Sequence, residues 1–319
     1  MHARASAPRV LVTGGGGFVG SWLVPLLESL GHATLGALKP GLPRPDFGAE
    51  WTVCDLRSAD ATRALLREAR PDWIIHLAAV AFPPGALTDP FEALRLNYGA
   101  VDHLLCALVQ EAPKARLLYV STGAVYAARS ADAPPASEAD PIAPGSLYAA
   151  TKAAAERRVG LACEREGVDA VCARPFNHSG PGRPPLYVEA SFAQQVARIE
   201  RGEQEPVLRV GNLDAVRDFC DVRDVVRAYA LLLEEGESGA TYNVCSGRGW
   251  SIRSLLDHLL QRSKVPARVE RDPERYRAEP ADRLALVGDP SRIRELGWRP
   301  RHRFEETLDD LLDAYRAGG

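Results

Sequence analysis

Tyr148 and Lys152 are the residues from which chemistry can be built. Four positions apart on a helix, they share one face and lie one turn from each other. A free phenol has a pKa near about 10 and is a poor base at neutral pH. An ammonium beside it favours the phenolate and brings the group towards working pH as a proton donor or acceptor. The bland alternative is two unrelated surface residues. Composition speaks against it, because the chain has only four lysines, Lys39, Lys114, Lys152 and Lys264, and uses arginine almost everywhere else. One of the four follows a tyrosine by a helical turn.

The elements that must position this pair are legible on both sides of it. Arg9–Thr13 reads as a short buried strand running into Gly14-Gly-Gly-Gly17-Phe18-Val19-Gly20 and an apolar-periodic helix to Leu30. Glycines are needed where a strand turns sharply into a helix and the backbone must approach a pyrophosphate, which the helix N-terminus then faces with its N–H groups. A flexible glycine turn is the alternative, and the strand before and helix after disfavour it. Pro25 should kink that helix or remove one of its hydrogen bonds.

Further strands are expected at Gly31–Lys39, Trp51–Leu56, Asp72–Ala79, Arg116–Thr122 and Asp169–Pro175, with a long helix over Phe91–Glu111 and another carrying Tyr148 and Lys152. Strands alternating with helices specify an α/β fold, a doubly wound parallel (Rossmann) sheet whose ligands lie at the carboxyl ends of the strands. Thr13, Asp55, Ala79 and Thr122 stand at such ends. Asp55 could accept from an adenine amino group, or cap the helix that starts near Ser58. Where an NAD-preferring sheet carries an acid, this chain has Ala37 and Leu38, followed by Lys39. A cation there suits the 2′-phosphate of NADP(H), with NAD(H) still usable; an ordinary loop lysine is the alternative.

Residues 1–175 thus form a dinucleotide-binding domain, to which 220–245 return through a helix at Asp221–Glu235 and a strand at Thr241–Val244. Residues 176–219 and 246–319 make a smaller mixed α/β substrate lobe, and no internal repeat is visible.

Composition excludes several classes. With 319 residues, 46% hydrophobic and 25% charged, the chain has material for one large or two moderate soluble domains. A net charge of −3 offers no broad electrostatic footprint for nucleic acid. No apolar run reaches about 18 residues, so no membrane partner is expected. The opening MHARASAPRV lacks the apolar region of a secretory leader. Six cysteines show no paired spacing. Cys54 precedes a strand end, and Cys106, Cys163, Cys172, Cys220 and Cys245 read as small buried hydrophobes. These features point to the cytoplasm. The seven histidines form no HExxH-type cluster, so no metal is expected.

The order and spacing of Thr13–Gly20, His76-Leu77-Ala78-Ala79, Ser121-Thr122 and Tyr148-x-x-x-Lys152 resemble the extended short-chain dehydrogenase/reductase family, that of NAD-dependent epimerases and dehydratases, over the whole chain. Within it, Arg174–Gly182, Val210–Phe219, Tyr242–Gly247, Gly288–Pro290 and Leu296–Pro300 resemble the branch that dehydrates GDP-mannose and reduces the resulting 4-keto-6-deoxy sugar. The resemblance implies an oxidoreductase converting GDP-4-keto-6-deoxy-D-mannose to GDP-D-rhamnose. Thr122 and Tyr148 would bond the sugar C4 oxygen, Tyr148 would pass the proton, and Lys152 would bind the nicotinamide ribose. Cofactor contacts are implied for Thr13, Gly14, Gly17, Phe18, Val19, Lys39, Asp55, Leu56, Leu77, Ala78, Ala79, Tyr148, Lys152 and Pro175. Asn177 and Arg217 would hold the nucleotide diphosphate, a task suited to an arginine fork; an ion pair of Arg217 with Asp218 or Asp221 is the alternative.

A homodimer through a four-helix interface is also implied, and the apolar positions Leu104, Leu105, Leu108 and Val109 exceed what one sheet-facing stripe requires.

The departures from the family pattern bear on chemistry. Gly123-Ala124 follows Thr122 where the dehydratases place an acid two residues on, so the base for the C5 proton is missing. Val80 and Ala81 replace polar residues that usually meet the sugar, and Glu279 precedes Pro280 where an arginine is usual, with Arg277 or Arg283 as substitutes. The same triad would serve a nucleotide-sugar 4-epimerase that keeps its NAD. A non-catalytic dinucleotide sensor is disfavoured by the retained Tyr148–Lys152 pair.

Overall fold

Short runs of Val, Leu and Ile between glycine- and proline-rich turns become buried strands, and alanine- and leucine-rich stretches between them become helices. The computed structural model describes residues 7–81, 83–130, 132–275 and 285–318, for 83–85 the backbone only. The elements in order are β1 (Arg9–Thr13), α1 (Phe18–Ser29), β2 (Ala33–Leu38), β3 (Glu50–Val53), α2 (Ala59–Ala69), β4 (Trp73–His76), α3 (Pro83–Thr88), α4 (Pro90–Leu94), a π-helical turn (Arg95–Gly99), α5 (Ala100–Glu111), β5 (Arg116–Val120) and a 3₁₀ turn (Gly123–Val125). They continue with α6 (Leu147–Glu166), β6 (Ala170–Pro175), β7 (Asn177–Ser179), α7 (Val188–Glu200), β8 (Val207–Val210), β9 (Val216–Asp221), α8 (Val222–Glu235) and β10 (Thr241–Val244). The last are β11 (Gly249–Ser251), α9 (Ile252–Arg262), β12 (Arg268–Arg271), β13 (Ala285–Leu286), α10 (Ser291–Glu295) and α11 (Phe304–Arg316).

A seven-stranded sheet runs in the order β10-β6-β5-β4-β1-β2-β3, parallel throughout from β6 to β3, as the alternation of strands and helices requires. β10 joins the edge of this sheet beside β6. One compact unit comprises residues 1–125, 146–174 and 226–242, the other 126–145, 175–225 and 243–319. The first packs α2, α5 and α6 on one face of the sheet around Leu66, Ile74, Leu104, Leu117, Tyr119 and Val159. The second gathers α7, α9 and α11 around Phe192, Val196, Leu255, Leu308 and Leu312, beside a small sheet of β7, β9, β11 and β13.

Several expectations change. The helix foreseen over Phe91–Glu111 begins at Pro90 and contains the π-helical turn, and α3, β8 and β9 were not anticipated. Pro25 sits on the exposed side of α1, where solvent can satisfy the carbonyl that its missing N–H leaves. Leu104, Leu105 and Leu108 are fully buried within the single chain, and of the four apolar positions set aside for an interface only Val109 is exposed, at 38%. α5 lies between the sheet and two helices, so it needs a broader apolar surface than one stripe. Cys106 is exposed and Cys163 half-buried, against the reading of both as buried hydrophobes; all six cysteines are free. Among the described residues no helix is long and apolar enough to cross a membrane, and no group of His, Cys, Asp and Glu could hold a metal ion. Arg277, Glu279, Pro280 and Arg283 lie outside the described residues.

Candidate active site

In the first unit, the loop after β1 turns so tightly that glycine is obligatory. Gly14 has φ +71°, and a Cβ there would lie 2.7 Å from the Ala78 amide nitrogen. A Cβ on Gly20 would lie 1.9 Å from the Gly15 carbonyl oxygen, so α1 rests directly on the loop. Gly17 is the N-cap of α1 and supplies no side-chain acceptor to the first-turn amides around Phe18 and Val19, as suits a site built for phosphate. Leu77 donates its amide to the Thr13 carbonyl (3.0 Å), which lays Leu77-Ala78-Ala79 along this loop. A cradle that a single methyl group would fill, at an uncapped helix N-terminus, fits a dinucleotide pyrophosphate.

The strand ends beyond β2 and β3 are charged. Lys39 is 55% exposed, and its ammonium is 3.7 Å from a Glu92 carboxylate oxygen. Asp55 accepts from Arg57 Nε and Nη2, both at 2.8 Å, and the bonds from this guanidinium hold its carboxyl down to about 2. The alternative role of Asp55 as a cap is not realised: Ser58 caps α2, its hydroxyl accepting from the Ala61 amide (3.3 Å). Leu56, next to Asp55, is buried.

Tyr148 and Lys152 come from the first turns of α6. Ser146 caps this helix by accepting from the Ala149 amide (3.2 Å), which sets where its first turn begins. Small buried residues, Ala149, Ala155 and Ala162, let α6 approach the sheet closely. Lys152 is only 3% exposed. Burial brings its ammonium down to about 8, opposed by the negative charge of Glu156. The ammonium stands 4.5 Å from the centre of the Tyr119 ring, and the Tyr119 hydroxyl donates to the Lys152 carbonyl (3.3 Å). One turn further, Glu156 forms a buried ion pair with Arg174 from β6. Thr122 follows β5 and accepts at Oγ1 from the Ala124 amide (3.2 Å); the 3₁₀ turn that begins after it packs against α6. The structure thus gathers Thr122, Tyr148 and Lys152 at the carboxyl end of the sheet.

Three residues of this region receive no role from the motifs. Asn97, on the π-helical turn, is 1% exposed. It accepts from the Val80 amide (2.8 Å) and donates to the Val80 carbonyl (3.3 Å) and to Thr151 Oγ1 (3.0 Å). Thr151 in turn donates to the Tyr148 carbonyl (2.8 Å), so one amide side chain joins the strand end after β4 to α6. An asparagine amid apolar helix positions was the available signal. His76 is buried and neutral, its Nδ1 sharing a hydrogen bond with Thr13 Oγ1 (2.8 Å). Burial and the Lys152 charge push it down to about 3. Tyr119 is the third.

In the second unit, Asn177 on β7 and Arg217 on β9 lie on neighbouring strands, with Asn177 paired to Phe219. Asn177 donates to the Asp218 carbonyl (3.1 Å) and Arg217 to the Val216 carbonyl (2.9 Å). The carboxylate of Asp218 is wholly buried and accepts from Ser246 Oγ (2.6 Å) and from the amides of Ser246 (2.8 Å) and Gly247 (2.9 Å). Asp221 accepts from Arg223 and from Thr307 Oγ1. Pro175 ends β6 and is buried.

Comparison with known proteins places the chain in a family. The sequence profile of the NAD dependent epimerase/dehydratase family matches residues 10–245. The chain is 37% identical over 310 residues to GDP-6-deoxy-D-mannose reductase of Pseudomonas aeruginosa, with 97% of either protein covered. It is similar to the solved structure of RMD from Pseudomonas aeruginosa complexed with NADPH, at 34% identity and TM-score 0.84 over 98% of this chain and 100% of that one. It is also similar to Thermus thermophilus UDP-glucose 4-epimerase in complex with NAD, at 30% identity and TM-score 0.86 over the same shares.

Two predictions arise from this geometry. Asn97→Ala leaves the Val80 amide and carbonyl and the Thr151 hydroxyl without their partner, and should lower the unfolding free energy by about 2 kcal/mol. Urea unfolding measures this, and a loss under about 0.5 kcal/mol would show that water replaces the side chain. The second concerns acid. His76 and His178 are both held near 3 by burial, against an ordinary 6.5, so the unfolded chain takes up protons that the folded one refuses. Stability therefore falls as pH drops below about 6.5. Buried Asp218, raised to about 6, acts in the opposite sense between 6 and its ordinary 3.8, because there the folded state holds the extra proton. The net loss from pH 7 to 5.5 is about 2 kcal/mol. Urea midpoints that do not fall over this interval would contradict the neutral, buried state of both histidines.

Proposed function

The chain belongs to the NAD-dependent epimerase/dehydratase family, and we propose that within it the protein is a reductase of a nucleotide-linked 4-keto-6-deoxy sugar, taking GDP-4-keto-6-deoxy-D-mannose to GDP-D-rhamnose. The observation that carries this reading is the turn Gly123-Ala124-Val125 directly after Thr122. The site has a phenol and a lysine to move a proton at a carbonyl oxygen, yet this turn holds no carboxylate to take a proton from carbon. Reduction of a ketone requires the first and not the second.

A bound nicotinamide dinucleotide supplies the hydride. The protein's own part is to place and protonate. Thr122 and Tyr148 hydrogen-bond the C4 oxygen, and Tyr148 gives its proton to that oxygen as negative charge develops there. Lys152, positively charged at neutral pH, favours the phenolate left behind and holds the nicotinamide ribose. Asn177 and Arg217 hold the nucleotide diphosphate. Ala37 and Leu38 present no carboxylate to reject a 2′-phosphate, and Lys39 and Arg57 stand near that strand end, so NADP(H) is preferred with NAD(H) accepted. A 4-epimerase is the second reading, supported by the likeness to the Thermus enzyme. It retains its dinucleotide through turnover, so cofactor copurifying in stoichiometric amount would favour it.

Incubation with GDP-4-keto-6-deoxy-D-mannose and NADPH should consume NADPH and yield GDP-D-rhamnose, whereas GDP-mannose with NADP⁺ should give no 4-keto product. Tyr148→Phe should lower kcat by about 10³-fold and leave the dissociation constant for NADPH nearly unchanged; a loss under tenfold would remove Tyr148 from the proton transfer. We also propose a homodimer built on α5 and α6, whose outward side carries Val109, with Phe91 and Leu94 exposed nearby in the chain at 77% and 48%. Sedimentation at micromolar concentration should give twice the chain mass of 34.6 kDa, and a monomer there would refute the interface.

A further inference from the structure

Glu92 is the point where three cations meet. One carboxylate oxygen lies 2.9 Å from Arg57 Nη1 and 3.7 Å from Lys39 Nζ, and the other lies 3.4 Å from Arg95 Nη2. Lys39 follows β2, Arg57 follows β3, and Glu92 and Arg95 belong to α4 and the π-helical turn, so the cluster joins three separate segments of one unit. Arg57 also clasps Asp55, and the five groups together carry one positive charge in surplus. Asp89 lies at the same end of α4 and accepts the Glu92 amide (2.9 Å), which fixes the backbone from which this carboxylate reaches. Glu92 is 18% exposed, much less than any cation around it.

The end of β2 is where a sheet of this kind reads the 2′ position of the adenosine ribose: a carboxylate accepts from the hydroxyls, a cation accommodates a phosphate. Here β2 itself ends in Ala37-Leu38, and the carboxylate that meets Lys39 arrives instead from α4. We propose that Glu92 is the residue that sets dinucleotide selectivity: it engages Lys39 and Arg57 as an internal counter-anion, and a 2′-phosphate binds by taking those cations from it. The carboxylate and the phosphate compete for the same guanidinium Nη1 and the same ammonium, and repel each other. Glu92 therefore limits the preference for the phosphorylated dinucleotide and keeps the unphosphorylated one usable. This inference rests on the reading that the site accepts both.

The test uses the full chain and binding alone, with ADP-ribose and its 2′-phosphate as calorimetric probes and NADH and NADPH followed by nicotinamide fluorescence. Glu92→Gln keeps the side-chain volume and the Asp89 contact to its amide, and removes the charge. It should shift the ratio of dissociation constants about tenfold towards the phosphorylated member of each pair, and the shift should shrink at high salt. Lys39→Ala and Arg57→Ala should each move the ratio several-fold the other way. A ratio within about twofold of wild type for Glu92→Gln, or a shift towards the unphosphorylated probes, overturns the proposal. The two readings fail separately. Wild type binding NADH more tightly would refute the NADP(H) preference, while the direction of the Glu92→Gln shift would still decide the role of Glu92.

Discussion

An ammonium taken out of water must be compensated where it sits, and the groups packed around Lys152 meet that requirement. Complete desolvation of a lysine costs several kcal/mol, enough to neutralise it at working pH. Here the loss is limited. The Tyr119 ring faces the charge, worth up to about 2 kcal/mol in a desolvated site. Glu156, one turn along the helix, adds negative potential while its own charge is met by Arg174. His76, near the same charge, stays neutral. The result is a lysine brought down to about 8, still protonated at neutral pH, on the same helix as Tyr148 and one turn from it.

Rigidity follows from the same packing. Tyr119 holds the Lys152 carbonyl as well as the ammonium, Ser146 sets the first turn of α6, and Asn97 ties that helix through Thr151 to the backbone after β4. The π-helical turn at Arg95–Gly99 inserts one extra residue in a turn, and such insertions recur at functional sites because they redirect a side chain. At the other end of the cofactor cradle the requirement is reversed: Gly14 and Gly20 leave no side chain at all, so that backbone can approach backbone and phosphate. The glycine loop after β1 thus depends on missing atoms, the surroundings of Lys152 on paired ones.

What the sequence by itself determined was local and periodic. The strand–glycine–helix beginning, the alternation of strands and helices, the i, i+4 placement of Tyr148 and Lys152 and the short strand Thr241–Val244 are all set within a window of a few turns, and all are present. The lack of a carboxylate at Ala124 was equally plain, being a matter of one residue's identity. Tertiary structure decided what stands opposite those residues. Asn97 meets Thr151 across 54 positions, Arg57 meets Glu92 across 35, and Thr13 meets His76 across 63. Periodicity says which residues share a face; it carries no information about which distant segment covers that face. For the same reason Leu104, Leu105 and Leu108 read as surplus apolar surface yet are core, because α5 has sheet and helices on several sides, while Cys106 on the same helix points to solvent.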